Sequence, residues 1–400
     1  MKMKILCDAI QRQMAGASMI RKMFEKGIEL RKIHGAENVF DFSLGNPDLP
    51  PPAQIRDEMI ALADRVSKPL GLGYCPNAGL PEVRERLAEF ISRQQSCKVG
   101  ASNVVCTVGA AGALTAFFRA VLEPGDEILC PSPYFVEYGA YCGHFGGVLK
   151  PIPSIAPEFQ PNLAALAEAI GEKTRVILIN TPNNPSGCVY TAETLKQIAR
   201  LVEQANVGRE RPIFLLSDEP YRTVVYDNVE VPPILPLTRW ALVLGSFSKT
   251  LSMAGERVGY VCVNPEMPEA KLLADAITLT VRTLGSVNAP VIGQRLAAAM
   301  LENSIDTGIY TARRNALAKV LDAAGIKYVM PKGTFYFFPE VPGGNDRAFV
   351  AKLAEFNVLA VPGSAFGCPG FMRLSFSTIS EEAIARSADG FRKAVAAFCE

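Results

Sequence analysis

The sequence predicts an α/β fold: a large domain with a mostly parallel sheet sandwiched by helices, joined to a smaller α+β domain. Three observations predict it. From about residue 103, short apolar runs recur (VVCTV, EILC, RVILIN, IFLLS, ALVLG, VGYVCV), most separated by segments long enough for a helix. Continuous apolar strands alternating with helices are the pattern of a sheet covered on both faces. After about residue 305 the order becomes a helix, FYFFPEV, a helix, VLAVPG, RLSFS and a closing helix. No repeat, low-complexity tract or polar linker divides the two units, so they are expected to share a broad interface. The expected boundaries are 46–305 for the large domain, and 1–45 with 306–400 for the small one.

Taken in order, Ser18 followed by Ile20, Met23, Phe24, Ile28 and Ile33 has helical spacing, and Gly35 ends it, with His34 as a helix-end residue. The stretch from Phe42 to Pro52 carries too much Pro and Gly for regular structure and is a loop. Pro81 opens a helix bearing Val83, Leu87, Phe90 and Ile91. In TVGAAGAL a strand passes through one glycine into a helix bearing Leu114, Phe117 and Phe118. That junction leaves the amides of Ala110 and Ala111 free along the helix dipole, where an anion binds well.

Composition narrows the function. Four hundred residues with 49% hydrophobic content bury a substantial core. Lys plus Arg, 41, nearly cancel Asp plus Glu, 40, so no global field draws the chain to nucleic acid or anionic lipid, and small molecules or a second protein chain are the expected partners. Ten scattered cysteines without a CxxC pair read as reduced, buried thiols of a cytoplasmic protein. The apolar part of MKMKILCDAI is too short for a signal peptide, and no run reaches the roughly 18 apolar residues of a membrane span. His34 and His144 are the only histidines, which argues against most zinc sites and against a Ser-His-Asp arrangement; no metal is expected.

Four motifs follow directly on apolar strands: SFSKTLSMAGERVGY (246–260), SDEPY (217–221), NTPNNPSG (180–187) and TVGAAGAL. Each has an ordinary explanation. A lone Lys249 is a solvated charge, Asp218 caps a helix, and dense Pro and Asn form a turn. In a parallel sheet, however, the strand ends gather along one edge, where ligands bind in open α/β folds. Four ordinary explanations would have to coincide there.

On these residues the chain resembles a fold-type I aminotransferase of the class I and II family, related to aspartate aminotransferase. The lysine motif matches the family's Ser, two residues, Lys and a downstream Arg-x-Gly, and the match runs from GNPDL near residue 45 to RLSFS near residue 373. The resemblance implies pyridoxal 5'-phosphate as cofactor, held as an imine on Lys249, which also shuttles a proton between substrate and cofactor. It implies that Asp218 pairs with the ring nitrogen, that Asn184 and Tyr221 bond the phenolic oxygen, and that Phe135 stacks on the ring, with a core phenylalanine as the other reading. Ser246, Ser248, Arg257 and the Ala110 and Ala111 amides form the phosphate cup. Arg373 clamps the substrate α-carboxylate, beside Gly45 and Asn184. Tyr74 matches a tyrosine that reaches the phosphate of a neighbouring subunit, which implies a homodimer with shared active sites.

Expected substrates are an L-amino acid and a 2-oxo acid such as 2-oxoglutarate. Ala111 stands where one group of bacterial aspartate aminotransferases has a lysine. Arg282, in TVRTLGSVNAP, lies near where another group places a partner-subunit arginine for a distal carboxylate, with altered spacing. Two other readings stay open. One is β-elimination of sulfur amino acids on the same scaffold. The other is a non-enzymatic cofactor-binding regulator, disfavoured because the chain begins almost at the catalytic unit and shows no basic arm.

Overall fold

The computed structural model describes residues 5–15 and 19–399. Twelve strands are found among them: β1 (Phe40–Asp41), β2 (Val104–Thr107), β3 (Glu127–Ser132), β4 (Val148–Pro153), β5 (Thr174–Asn180), β6 (Phe214–Asp218), β7 (Ala241–Ser246), β8 (Gly259–Val263), β9 (Tyr336–Phe337), β10 (Val358–Leu359), β11 (Val361–Pro362) and β12 (Met372–Ser375). Seven form one sheet in the order β2-β8-β7-β6-β5-β3-β4. Only β8 runs against its neighbours. The other six point the same way, so β2, β5, β6 and β7 deliver their C-terminal ends to one edge.

The apolar runs are continuous because both faces are buried. On β5, Val176 and Leu178 join one core cluster, whereas Ile177 and Ile179 join the cluster on the opposite face. Each such side chain contributes roughly 1.5–3 kcal/mol on burial. Strand β4 was not foreseen, because VLKPIP carries two prolines. It lies at the sheet edge, pairing only with β3, the place where a missing backbone donor is tolerated.

The later strands form a three-stranded sheet, β11-β12-β9, and a pair, β1-β10. They pack with helices Thr307–Ala323, Asp346–Glu355 and Ala388–Cys399 around an aromatic cluster that includes Phe42, Phe335, Phe337 and Phe376. Phe42 accepts a bond from the Ser375 amide at 2.7 Å, so the 42–52 loop leaves from this cluster and crosses to the seven-stranded sheet.

The expected N-terminal helix runs Met19–His34 and ends before Gly35, whose φ is +83°; Ser18 and the side chains of Ile20 and Phe24 lie outside the described residues. Its buried stripe differs from the expected one. Ile28 and Ile33 are exposed, while Leu30 is buried and Met23 is half-buried. The helix docks along Met23, Gly27 and Leu30, because a side chain at Gly27 would stand 2.8 Å from Leu359 Cδ1. Close approach at a glycine has turned the docking face away from the stripe that hydrophobicity alone selects. The expectation of buried thiols fails for Cys7 and Cys399, which are exposed near the two ends, and holds for Cys106, Cys130, Cys142 and Cys262. No helix among the described residues is long and apolar enough to cross a membrane.

Candidate active site

A cavity of about 340 Å³ opens at the sheet edge where the four motifs end. Lys249 lies in the short helix Phe247–Thr250 directly after β7. Its Nζ donates to the Gly45 carbonyl at 2.8 Å and lies 5.5 Å from the Phe335 ring. Burial, reinforced by the charges of Arg373 and Arg257, pulls the amine pKa from 10.5 to about 8. A substantial neutral fraction at physiological pH follows, which nucleophilic attack by an amine requires.

Asp218 is the last residue of β6 and is 4% exposed. Tyr138 donates to Oδ2 at 2.6 Å, and Oδ1 is buried with no partner. Burial raises the carboxyl pKa to about 7; the Tyr138 bond opposes the rise and nearby Glu219 adds to it. An unpartnered buried carboxylate oxygen facing a cavity is an acceptor suited to a cationic ring N–H.

Asn180, at the end of β5, donates to the Asp218 carbonyl at 2.8 Å and accepts from the Asn184 amide at 2.8 Å. This locks the Asn-rich turn against the neighbouring strand end. Asn184 Oδ1 accepts from Arg373 Nη1 at 3.2 Å. Arg373, on β12, is 3% exposed, donates through Nη2 to the Ser43 carbonyl at 2.7 Å, and lies 4.6 Å from the Tyr336 ring and 4.8 Å from that of Phe366. Its Nε has no partner. A buried guanidinium near two rings, with an unpartnered Nε and beside an open cavity, is suited to an anion.

The opposite end of the cavity is an anion cup. Ser246 Oγ and Ser248 Oγ lie 2.9 Å apart, and Arg257 Nη1 donates to Ser248 Oγ at 3.2 Å. A Cβ at Gly109 would come within 2.6 Å of Arg257 Nη2. The guanidinium therefore sits against the start of helix Gly109–Val121, beside Ala110 and Ala111, which line the cavity. Gly109 takes φ +66°, so the tight strand-to-helix turn and the close approach both require glycine.

The cavity gathers Gly45, Ala110, Ala111, Phe135, Asn184, Asp218, Tyr221, Ser246, Ser248, Lys249, Arg257 and Arg373. Within the single chain it does not include Tyr74, which is 88% exposed, or Arg282, exposed at the first position of the helical turn Arg282–Ser286. Sequence reasoning missed Tyr138, Tyr141, Tyr336 and Asn180. Tyr138 was within reach: it stands three residues after Phe135, one helical turn on, and the two rings meet edge to face at 5.5 Å. Tyr336 bonds Tyr221 hydroxyl to hydroxyl at 3.0 Å, a contact between distant segments that spacing does not reveal.

The residues fit pyridoxal 5'-phosphate. The unpartnered Asp218 oxygen, the depressed amine and the glycine-built anion cup match its ring nitrogen, aldehyde and phosphate. Gly45 is tested separately, since a Cβ there would lie 1.9 Å from the Tyr336 hydroxyl. Gly45→Ala is expected to destabilise the protein by about 1–3 kcal/mol through overpacking, read as a lower denaturation midpoint; an unchanged midpoint would show that Tyr336 moves freely.

Comparison with known proteins bears on the family and the fold. Residues 37–391 match the family described as aminotransferase class I and II. A probable aspartate/prephenate aminotransferase of Aquifex aeolicus is 35% identical over 378 residues, covering 90% of this chain and 91% of that protein. An amino transferase structure from Eubacterium rectale superposes with a TM-score of 0.94 at 35% identity, covering 99% of this chain and 100% of that one. The aspartate aminotransferase of Thermus thermophilus with maleate superposes with a TM-score of 0.84 at 29% identity, covering 98% and 100%.

Proposed function

The chain belongs to the aminotransferase class I and II family, with its fold type I architecture and transaminase activity; on that premise we propose that Lys249 is the residue that carries pyridoxal 5'-phosphate and moves the proton in transamination. The observation that carries this reading is the meeting, in one cavity, of a buried amine, a carboxyl with an unpartnered oxygen, and a guanidinium at a helix start. The chemistry supplied by the bound cofactor is an aldehyde for the amino group and a ring that accepts the electron pair left on the substrate α-carbon.

The protein's residues supply the rest. Asp218 Oδ1 would accept from the ring N–H and hold that proton in place. Asn184 and Tyr221 would donate to the ring's phenolic oxygen, and Phe135 would pack on the ring. Ser246, Ser248, Arg257 and the Ala110 and Ala111 amides hold the phosphate. Arg373 would grip the α-carboxylate of the substrate and orient the Cα–H bond toward Lys249, whose neutral amine would take and hold that proton. The loop that begins at Gly45 reaches Lys249 through the Gly45 carbonyl and would limit entry of water on that side.

Borohydride treatment of the purified protein, followed by peptide mapping, is expected to fix the cofactor on Lys249; label on another lysine would overturn the assignment. We further propose that Tyr74 enters the site of a second copy in a homodimer, supported by its exposure beside exposed Leu70 and Leu72, apolar surface that a partner would cover. A cytoplasmic location is proposed from the ten free cysteines.

Donors with a second carboxylate are favoured by the aspartate aminotransferase relatives and by the dicarboxylate maleate held by the Thermus enzyme. If Arg282 of a second copy reads that carboxylate, Arg282→Ala lowers kcat/KM for aspartate and glutamate by about 10–100-fold, the worth of a charged hydrogen bond. Neutral donors are unaffected. Equal loss for all donors would reject the role. The named relatives are aminotransferases, which does not favour the β-elimination reading; absence of ammonia release without a 2-oxo acid is the expected check.

A further inference from the structure

On the far side of the strand that ends in Asp218 lies a buried polar cluster with no part in the chemistry above. Neighbouring residues of a strand face opposite ways, so Ser217 and Glu219 turn from the cavity toward helix Pro81–Gln95. Glu219 is 4% exposed. Its Oε1 accepts from the Ser217 hydroxyl at 2.8 Å, and its Oε2 accepts from Gln95 Nε2 at 3.1 Å and from Arg222 Nη1 at 2.7 Å. Arg222 Nη2 donates to the carbonyls of Gln94 and Val231, each at 2.8 Å. Gln95 Oε1 accepts from the amides of Ile234 and Leu235 at 2.9 and 3.3 Å. The Glu219 amide bonds the Leu244 carbonyl of β7 at 2.9 Å.

A buried ion pair is a poor way to gain stability, since apolar residues of equal volume serve as well or better. This one is adjacent in sequence to the acid that faces the cavity. We propose that the Glu219–Arg222 pair is a positioning device for Asp218, fixing the end of β6 from behind and setting the electrostatic potential that Asp218 feels. The proposal rests on the reading of Asp218 as the partner of the ring nitrogen.

The surroundings leave these charges in control. Asp218 is faced by Tyr138 and Tyr141 from helix Tyr138–Gly143, by Cys130 of β3 and by Tyr221, and Glu219 by Tyr260 and Cys262 of β8; burial pushes all six far enough up to be neutral at physiological pH. Lys249, Arg257 and Arg373 line other walls of the same cavity. The Glu219 charge raises the proton affinity of Asp218, and Arg222, 2.7 Å from Glu219, opposes that charge. Asp218 is thereby left ready to ionise against a cation placed before it.

The test follows the protonated-carboxyl infrared band that Asp218→Asn removes, titrated in the cofactor-free full chain. Glu219→Gln keeps the shape but leaves Arg222 unbalanced, and is expected to move this transition to lower pH by about one unit, a neighbouring-charge effect. Glu219→Gln combined with Arg222→Met restores neutrality and is expected to return it most of the way. No shift in the single variant, or an equal shift in the double one, overturns the proposal, because a purely structural cluster would be damaged further by the second change. If Glu219→Gln does not fold, Arg222→Lys retains the charge while losing the Gln94 and Val231 contacts. It should leave the infrared transition in place, and a shift of about a unit would overturn the electrostatic role. Failure of the underlying reading looks different: full activity in Asp218→Asn, whatever the infrared shifts.

Discussion

Lys249→Ala is expected to lower transamination by at least about 10²–10⁴-fold, the usual worth of a positioned acid–base group, while the far-ultraviolet spectrum stays that of the parent. Lys249→Arg should fail equally. Arginine keeps the positive charge but does not give up its proton in water, so a charge-only role for Lys249 would let arginine serve and is distinguished from the proposed one. The second signature is a pH dependence. Burial and the charges of Arg373 and Arg257 hold the amine near pH 8, so about one tenth of it is neutral at pH 7 and about half at pH 8. The rate at which cofactor-free protein takes up pyridoxal 5'-phosphate should therefore climb several-fold between pH 7 and 8 and flatten above about pH 9. A rate still rising toward pH 10.5 would mean that the site does not perturb this lysine.

Asp218→Asn is expected to act in opposite directions on activity and on stability. Activity should fall by about 10²-fold or more, because an amide cannot carry the negative charge that holds the ring proton. The cofactor-free protein, however, should gain stability. Burial raises the native carboxyl to about 7 from an unperturbed 3.8, so between those values the native state binds more protons than the unfolded one. Wild-type stability then falls as pH rises from about 4 to about 7 and stays reduced above that. The difference corresponds to on the order of 4 kcal/mol, and the asparagine avoids it while still accepting the Tyr138 bond. Denaturant midpoints should coincide below pH 4 and favour the variant by about 2–4 kcal/mol at pH 8. A variant no more stable at pH 8 would show that Asp218 is not held against its solvation. The same comparison with cofactor present should reverse, since a cation beside Asp218 compensates the buried charge.

That opposition explains how much of the site could be read in advance. Lys249, Asp218 and Asn184 sit at or just past strand ends, and strand ends are marked by apolar runs that stop at polar, Pro- or Gly-rich residues. Tyr336 was invisible, and Tyr138 easily passed over, because a tyrosine in an apolar stretch reads as core. Each is nearly fully buried, and only the hydroxyl contact with Asp218 or Tyr221 sets it apart. The edge strand β4 was hidden by its prolines, and the docking face of Met19–His34 by a glycine, whose contribution to packing is an absence of atoms.

The sequence by itself determined the layered α/β architecture and the candidate chemistry, because periodicity and strand-end composition are local properties that a chain carries wherever it folds. Tertiary structure alone decided the environment of each group. That the Lys249 amine is depressed, that the Asp218 carboxyl is raised and that Glu219 is paired with Arg222 behind it depends on which segments close over them. Solvation and charge proximity are properties of three-dimensional neighbours, and residues 45, 138 and 373 become neighbours of residues 218 and 249 only when the sheet is assembled.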